Sequence, residues 1–349
     1  MQSLQVKKDM NIPQKLAVMN ELKTALLQQC LPDSEIVVKA FQRNPWFHPT
    51  FTVFAIESIC SQLLEPNSLE KYATEQFHEK LILPKRIAFI PAGNVPLAGF
   101  RDLLDLYLSD HTILFKASSK DLVLMEWVYT LLLKLDATTS SRIEWCEHVR
   151  NADSIIASGS NNTYRYLEYY FRNKPSVIRK NRVSLAILHG NETSDELKKL
   201  ADDVFLYFGL GCRNISHLYV PESYDFSSLI HAFEKYNWFF RESKYMNNYD
   251  YNRTLLLMNG YDHLASDWFV LKEDNQWISP LAQIHYTKYG NLEHVLQEIS
   301  DRKDGYQCVV STQPIQGLET VLPGMAQKPG LYDFADGINI PAFLQHLGA

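Results

Sequence analysis

Residues 193–221, TSDELKKLADDVFLYFGLGCRNISHLYVP, predict a helix, a turn and a strand in succession. Thr193 or Ser194 is a candidate helix cap, and apolar residues then recur at the three- and four-residue steps typical of a helix with one buried face. The predicted buried face consists of Leu197, Leu200, Val204, Phe205 and Phe208. Gly209 is expected to end the helix, because glycine readily adopts the left-handed conformation found at helix ends. Residues 214–220 follow as a predicted strand, which Pro221 ends.

The predicted turn carries Cys212 between Gly211 and Arg213. Cysteine is more often a small buried hydrophobic residue than a nucleophile. That interpretation suits the cysteines in apolar, periodic segments, which are Cys30, Cys60, Cys146 and Cys308. The flanks of Cys212 differ, because glycine lets the backbone approach a substrate closely and an arginine favours the thiolate form. Cys212 is therefore a candidate nucleophile, with a buried structural thiol as the alternative.

The composition is that of an ordinary globular protein, with 349 residues, 46% hydrophobic and 21% charged. This length favours two domains or one large α/β unit with insertions. The formal net charge of −6, without a basic run, argues against nucleic acid or an anionic membrane as a partner. No window is long and apolar enough for a membrane span, and the N-terminus lacks a signal-peptide core. With five scattered cysteines, the expected location is the cytoplasm.

Upstream of this stretch, the sequence predicts helices over residues 13–80 and then an alternation of strands and helices. The predicted strands include RIAFIPA, HTILFKASS, DSIIASGS and SLAILHG. Repeated β-α-β units imply a parallel sheet with helices on both faces, so the predicted fold class is α/β. In such sheets ligands bind beyond the carboxyl ends of the strands. Past Pro221 a helix is predicted near residues 224–236, followed by an aromatic-rich stretch to Leu257 without an assigned element.

The loop Gly93-Asn94-Val95-Pro96 follows the first predicted strand. Asn94 is a candidate donor of an amide N–H to a developing oxyanion, and a cap for the following helix is the alternative. No GxGxxG follows a strand, and the sequence has no Walker loop, no HExxH and no Cys/His cluster with metal-ligand spacing.

Two further loops at predicted strand ends carry polar groups. Lys116, Ser118 and Ser119 suit a ribose or a phosphate, and a solvated turn is the alternative. Gly159 and Ser160 open a predicted helix whose amides suit a pyrophosphate, and a simple helix cap is the alternative. These loops and the Asn94 loop are expected to contribute to one common site.

The order GNVP, FKAS, SGS and GLGC, with a following strand that ends in VP, resembles the aldehyde dehydrogenase superfamily. Within it the chain is most similar to the bacterial long-chain acyl-CoA reductases, the family that supplies fatty aldehyde to bacterial luciferase. The tail PGMAQKPGLYDFADGINIPAFLQHL also resembles that family's C-terminal signature. The resemblance implies a Rossmann-type nucleotide-binding domain over 1–188, including the helical N-terminal region, and an α/β catalytic domain over 189–330. Residues 331–349 would form a tail that packs back.

By position, the resemblance implies that Cys212 takes the acyl group as a thioester, while Asn94 and the Cys212 backbone N–H form the oxyanion hole. The implied cofactor-binding residues are Lys116, Ser118 and Ser119, with Lys116 and Ser119 at the adenosine ribose, and Gly159 and Ser160 near the pyrophosphate. Members that prefer NAD often have glutamate where Ser119 stands, so the implied cofactor is NADPH.

One departure from the superfamily bears on the reaction. Hydrolytic members carry a glutamate base upstream of the cysteine, but the corresponding KPSVIRKNRVSLAILHG has no acid. A Cys212 thioester would then resist hydrolysis, which favours NADPH-dependent reduction of acyl-CoA or an acylated protein to an aldehyde. The alternatives are CoA-acylating aldehyde oxidation and a non-catalytic nucleotide-binding member. An acyl-protein synthetase is a candidate partner, and a homo-oligomer is a candidate assembly.

Overall fold

A computed structural model describes residues 11–77, 83–159 and 161–348. The chain divides into two compact units, the first formed by Met1–Asn181 with Gly330–Ala349 and the second by Arg182–Pro329. Within the described residues, no helix has the length and apolar character needed to cross a membrane.

The helices of the described chain are, in order, α1 (Ile12–Gln28), α2 (Glu35–Arg43), α3 (Pro49–Ser58), α4 (Pro66–Gln76), α5 (Phe100–Leu108), α6 (Leu122–Leu135), α7 (Thr139–Arg142), α8 (Asn161–Phe171), α9 (Ser194–Phe205), α10 (Ser227–Phe233), α11 (Ser243–Met258), α12 (Leu292–Asp301) and α13 (Ile340–Gly348). The strands are β1 (Arg86–Ile90), β2 (Thr112–Phe115), β3 (Ile143–Trp145), β4 (Ser154–Ser158), β5 (Ser176–Arg179), β6 (Val183–Ile187), β7 (Ile215–Pro221), β8 (Leu264–Ala265), β9 (Val270–Glu273), β10 (Gln283–Tyr289) and β11 (Tyr306–Val310).

The first unit contains a five-stranded parallel sheet in the order β3-β2-β1-β4-β5. Its central strand β1 pairs with both neighbours, since Ile87 lies opposite Ile113 of β2 and Ser154 of β4. Ile87 and Phe89 are fully buried, as expected of a central parallel strand covered on both faces. The chain leaves β1 towards β2 and β3 and returns on the other side as β4, so the strand order reverses between β1 and β4. This is the arrangement of a Rossmann-type sheet, and the predicted α/β fold class is confirmed.

The C-terminal residues belong to the core of the first unit. Ile340 and Leu344 on α13 are only 2% and 1% exposed and pack in the same cluster as Leu104 of α5. A ring nitrogen of the buried His111 lies 2.9 Å from the carbonyl oxygen of Leu344. The last helix is therefore a structural part of this unit.

The second unit contains a six-stranded sheet in the order β11-β6-β7-β10-β9-β8, in which all pairs are parallel except β8 with β9. Helix α9 leads into β7 through a short connection. It begins with a capping box, in which the Thr193 hydroxyl accepts the Glu196 N–H and the Glu196 carboxylate accepts the Thr193 N–H. Local sequence signals therefore fix where this helix starts.

The end of α9 differs from the prediction. The α-helix ends at Phe205, earlier than the expected stop at Gly209, and a 3₁₀ segment Leu206–Gly209 follows. Tyr207 and Phe208 both have a φ of 56°, a left-handed conformation that disfavours residues with a Cβ. The Phe208 ring lies with its centroid 4.6 Å from that of Phe239, in an aromatic cluster of the core. Burial of these rings offsets the backbone strain.

Several elements escaped the sequence prediction, among them the short helix α7, the two-residue strand β8, helix α11 and strand β5. The aromatic-rich stretch before Leu257 contains helix α11, whose buried residues are only Tyr245, Tyr249 and Leu256, so its apolar periodicity is weak. The edge strand β5 lies in a run with alternating basic residues, where only SLAILHG was predicted to be a strand.

Candidate active site

The candidate nucleophile Cys212 lies on the turn between the 3₁₀ segment Leu206–Gly209 and β7. Its side chain is exposed. Helix α9 and strand β7 are both anchored in the core, since Leu200 and Leu218 are 1% and 0% exposed. The turn therefore presents an accessible thiol on two rigid elements, and a buried structural thiol is excluded for Cys212.

The other cysteines differ from Cys212 in burial, and all five lie in the described part of the chain. Cys30 and Cys60 are buried, and Cys146 and Cys308 are half-buried. Burial raises the pKa of the Cys30 thiol to about 11 and that of the Cys60 thiol to about 12. Burial likewise raises the pKa values of Cys146 and Cys308. These four thiols stay protonated at neutral pH, which suits a structural role.

The buried side chain of Asn214 holds the Cys212 turn from within. Its Oδ1 accepts the N–H of Gly211 at 2.8 Å. Its Nδ2 lies within hydrogen-bond distance of carbonyl oxygens at the end of α9 and just beyond it, at 3.2 Å from Asp203, 3.1 Å from Val204 and 2.8 Å from Leu206. One side chain thus caps the helix end and fixes the residue that precedes the nucleophile.

A second buried side chain, Ser184 of β6, contacts the nucleophile's own backbone. Its hydroxyl donates to the carbonyl oxygen of Cys212 at 3.1 Å and lies 3.2 Å from the sulfur of Cys308. Because the Ser184 proton is directed to Cys212, the Cys308 thiol acts as the donor to Ser184. The turn is therefore fixed on both its helical side and its sheet side.

Asp203 is the buried acid of this region. Its Oδ2 accepts the N–H of Gly324 at 2.6 Å and its Oδ1 accepts the N–H of Ala326 at 3.0 Å. The side chain is fully buried, and burial raises its pKa to about 7. Arg213 also contacts this part of the chain, because it donates to the carbonyl oxygen of Ala326 at 3.4 Å.

Sequence reasoning missed both Asp203 and Asn214. The signal for Asp203 was an acid inside the apolar stripe of α9, between Leu200 and Val204. An aspartate at such a position needs a buried partner. Its partners lie more than a hundred residues away in sequence, so the pattern alone does not identify them.

In the first unit, the predicted polar loops meet at one edge of the sheet. They follow β1, β2 and β4, which are neighbours in the order β2-β1-β4 and run parallel. The first two loops touch, because a Cβ added at Gly93 would lie 2.4 Å from the Ser118 hydroxyl oxygen. Glycine at this position therefore lets the two loops approach each other closely. The reversal of strand order between β1 and β4 places this edge where open α/β sheets bind ligands.

Asn94 is half-buried and lies upstream of α5, whose N-cap is Gly99. The alternative in which Asn94 caps the following helix is therefore wrong. Its loop is held by Asp121, whose Oδ2 accepts the N–H of Leu97 at 2.9 Å. Leu97 has a φ of 55°, so the loop is in a strained conformation that this hydrogen bond stabilises.

Four of the remaining predicted residues, Lys116, Ser118, Ser119 and Gly159, lie on the same edge. Lys116 and Ser118 are half-buried, and Ser119 is exposed, directly after β2. Gly159 follows β4 and donates its N–H to the carbonyl oxygen of Arg179 at 3.4 Å. Ser160 lies outside the described residues.

The chemistry of this edge suits a nucleotide. The residues after β2 supply an ammonium and two hydroxyls, where many Rossmann domains carry an acid for the ribose 2′-hydroxyl. The nearby acid Asp121 is 1% exposed, is engaged with Leu97, and has a pKa that burial raises well above its usual range.

Comparisons with known proteins identify the family of the chain and related folds. A family model described as acyl-CoA reductase (LuxC) matches residues 25–232, which is more than half of the chain. No curated protein matches the chain in sequence.

Solved structures share the fold. An NAD-dependent benzaldehyde dehydrogenase from Corynebacterium glutamicum matches with a TM-score of 0.63 at 10% identity, covering 86% of this chain and 76% of that one. Aldehyde dehydrogenase 21 from Physcomitrella patens, in complex with the product succinate, gives 0.64 at 10% identity, covering 87% and 74%. A Mycobacterium tuberculosis aldehyde dehydrogenase complexed with NAD+ gives 0.56 at 12% identity, covering 82% and 70%. At such identities the likeness demonstrates the fold alone.

The fold and the family match agree, and the predicted resemblance is confirmed. The chain is an oxidoreductase of the aldehyde dehydrogenase type, from a family that acts on acyl substrates. It belongs to the acyl-CoA reductase (LuxC) family.

Proposed function

We propose that this protein reduces acyl-CoA to an aldehyde with NADPH, through a covalent thioester on Cys212. The observation that carries the proposal is the exposed thiol of Cys212, on a turn that the buried side chains of Asn214 and Ser184 hold in place. An accessible thiol on a rigid turn is what a thioester-forming nucleophile requires.

In the first step the Cys212 thiolate attacks the carbonyl carbon of the acyl thioester. The bond from that carbon to the CoA sulfur then breaks, and CoA leaves as a thiolate, which takes up a proton from solvent. The carbonyl oxygen carries negative charge meanwhile, and the amide of Asn94 together with the Cys212 N–H is proposed to donate to it. One such donor typically contributes about a hundred- to a thousandfold in rate.

The second step returns the enzyme to its starting state. A bound reduced nicotinamide nucleotide supplies the hydride. The resulting hemithioacetal anion on Cys212 breaks its carbon–sulfur bond, which releases the aldehyde and regenerates the thiolate. Cys212 thus leaves the cycle unchanged.

Reduction is favoured over hydrolysis because the buried acid of this region is unsuited to activate water. Both carboxylate oxygens of Asp203 accept backbone N–H groups, and its side chain is 0% exposed. A general base must reach the water whose proton it takes. The thioester therefore persists long enough to be reduced.

The preference for NADPH is argued from the residues after β2. Lys116, Ser118 and Ser119 offer a positive charge and hydroxyls, which suit a 2′-phosphate. Gly159 is proposed to lie near the pyrophosphate, with Ser160. Complexes of similar folds with NAD+ support a nicotinamide nucleotide as the cofactor class.

The test is a mass measurement on intact protein and on its peptides after incubation with a long-chain acyl-CoA. We expect one acyl adduct, on the peptide that contains Cys212, and release of aldehyde when NADPH is added. Cys212→Ser should lose the adduct and the activity. Cys146→Ser is the matched control, because it removes another thiol that is not fully buried.

The proposal fails if the wild type forms no adduct, or if Cys212→Ser keeps full activity. Loss of activity in Cys146→Ser with an unchanged adduct on Cys212 would also contradict it. Substitution of Asn94 by alanine should slow acylation with little change in the alkylation of Cys212 by iodoacetamide, because the oxyanion donor acts on the carbonyl and not on the thiol.

A further inference from the structure

Residues 322–328 form two successive turns in the second unit. Met325 N–H donates to the Leu322 carbonyl at 3.1 Å, and Lys328 N–H donates to the Met325 carbonyl at 3.0 Å. Gly324 lies within the first of these turns and has a φ of 85°, which favours glycine. We call residues 322–328 the double turn.

The double turn is bound to one face of α9. Asp203 accepts the N–H groups of Gly324 and Ala326, and the Gln327 side-chain amide donates to the Asp203 carbonyl at 3.4 Å. One helical turn earlier, Lys199 packs so closely that a Cβ added at Gly324 would lie 3.1 Å from the Lys199 Cβ. A charged acceptor for two backbone N–H groups is a strong and directional contact.

Arg213, the residue after the nucleophile, is hydrogen-bonded to Ala326, which Asp203 also binds. It donates to the carbonyl oxygen of Ala326, whose N–H is bound by Asp203, and Ala326 is 0% exposed. The double turn is thus fixed between the helix that precedes Cys212 and the residue that follows Cys212.

The double turn also presents apolar surface. Leu322 is 62% exposed and Met325 is 42% exposed, and the two are joined by the hydrogen bond of the first turn. Exposed apolar side chains, on a segment that is hydrogen-bonded to both α9 and Arg213, suit contact with an apolar part of a substrate.

We propose that Asp203 is a positioning residue, which holds the double turn beside Cys212 so that Leu322 and Met325 contact the acyl chain of the substrate. The assignment rests on the proposed function. Asp203 touches neither the substrate nor the thiol, and it acts through the backbone of Gly324 and Ala326. Its role therefore lies in binding and aligning the acyl group.

Asp202 is a matched control on the same helix. Its Oδ1 accepts from Lys235 at 2.5 Å and from the Tyr236 hydroxyl at 2.7 Å. Asp202→Asn therefore replaces a hydrogen-bonded carboxylate of the same helix without touching the double turn.

The test compares Asp203→Asn, Asp202→Asn and the wild type in three measurements. Hydrogen exchange measures the protection of the amides of residues 324 and 326. Alkylation by iodoacetamide measures the intrinsic reactivity of Cys212. Acylation kinetics with a long-chain and a short-chain acyl-CoA measure the alignment of the substrate.

In Asp203→Asn, we expect loss of protection at residues 324 and 326, because an amide side chain cannot accept both N–H groups well. Acylation by the long-chain acyl-CoA should lose about tenfold in kcat/KM, mainly through KM, as for one charged hydrogen bond. The loss should be smaller with the short-chain acyl-CoA, and iodoacetamide alkylation should match the wild type. Gly324→Ala should reproduce this pattern, because it displaces the double turn without altering Asp203.

Several results would overturn the assignment. Unchanged protection in Asp203→Asn, equal losses for both chain lengths, or a parallel fall in alkylation would each do so. The same kinetic defect in Asp202→Asn would indicate a general disturbance of α9. If the wild type forms no adduct on Cys212, the proposed function fails and this assignment fails with it, although the exchange data would still report whether Asp203 binds the double turn.

Discussion

The side-chain oxygen of Asn214 accepts a 2.8 Å hydrogen bond from the N–H of Gly211, across the turn that carries Cys212. The same side chain is 2% exposed and donates to carbonyls of Val204, in the last turn of α9, and of Leu206, just after it. The helix end and the nucleophile's turn thus share one buried anchor.

Asn214→Ala should leave several buried backbone groups without partners, so we expect the free energy of unfolding to fall by about 2–4 kcal/mol. The turn should also loosen, which should change the rate at which iodoacetamide alkylates Cys212. Asn248→Ala is the control, since the half-buried Asn248 donates to a carbonyl of its own helix. Equal stability of Asn214→Ala and the wild type would contradict the anchoring role.

Ser119→Glu should reverse the cofactor preference. A carboxylate at the end of β2 repels a 2′-phosphate and accepts from ribose hydroxyls, so the ratio of kcat/KM for NADPH over NADH should fall at least about tenfold. Ser141→Glu is the control, because α7 precedes β3 and Ser141 is exposed at the opposite edge of the sheet. An unchanged ratio in Ser119→Glu would argue against a ribose at this loop.

Arg179 of β5 and Asp102 of α5 form a buried, bidentate ion pair, in which Nη1 of Arg179 donates to Oδ2 of Asp102 and Nη2 donates to Oδ1 at 3.0 Å. Arg179→Met would leave a buried carboxylate unpaired, so urea unfolding should reveal a loss of about 3–5 kcal/mol. The double variant with Asp102→Leu should be markedly more stable than Arg179→Met. Asp195→Asn breaks an exposed pair with Lys199 and should change stability by less than about 1 kcal/mol. A similarly small loss in Arg179→Met would mean that water reaches Asp102.

The second unit should lose stability in mild acid. Burial lowers the pKa of His217 to about 4, aided by the neighbouring His285 and Arg302 and opposed by the Gln276 carbonyl and Asp274. In the unfolded chain His217 takes up a proton near pH 6.5, whereas in the folded protein it does so only near pH 4. The free energy of unfolding should therefore be highest above pH 6.5 and fall by up to about 3 kcal/mol as the pH is lowered towards 4.

His217→Gln should flatten that pH dependence, as measured by urea unfolding between pH 7 and pH 4. The exposed His294 of α12 is the control, and His294→Gln should retain the wild-type slope. A slope that is the same in all three proteins would assign the acid sensitivity to other groups.

The sequence predicts best what neighbouring residues decide. The start of α9 follows from Thr193 and Glu196, which lie three residues apart and bond each other. The end of α9 does not, because Tyr207 and Phe208 adopt left-handed conformations that only the surrounding aromatic core stabilises.

The candidate site divides in the same way. Cys212, Asn94 and the loop after β2 were recognisable from short motifs at strand ends. The residues that support the site were not recognisable in this way, because they contact residues far away in sequence. Asp203, for example, accepts a hydrogen bond from Gly324 at a separation of 121 residues. Asp121 accepts a hydrogen bond from Leu97, 24 residues away, and the donor is a backbone N–H, which nearly every residue type has, so the sequence does not reveal the contact.

The location of α13 in the core of the first unit has a consequence for biosynthesis. Ile340 and Leu344 fill that core, yet they leave the ribosome after all of Arg182–Pro329. A domain made from contiguous chain can fold as soon as it emerges. The second unit is therefore able to fold before the first, whose core stays incomplete and accessible to chaperones until Ile340 and Leu344 have emerged.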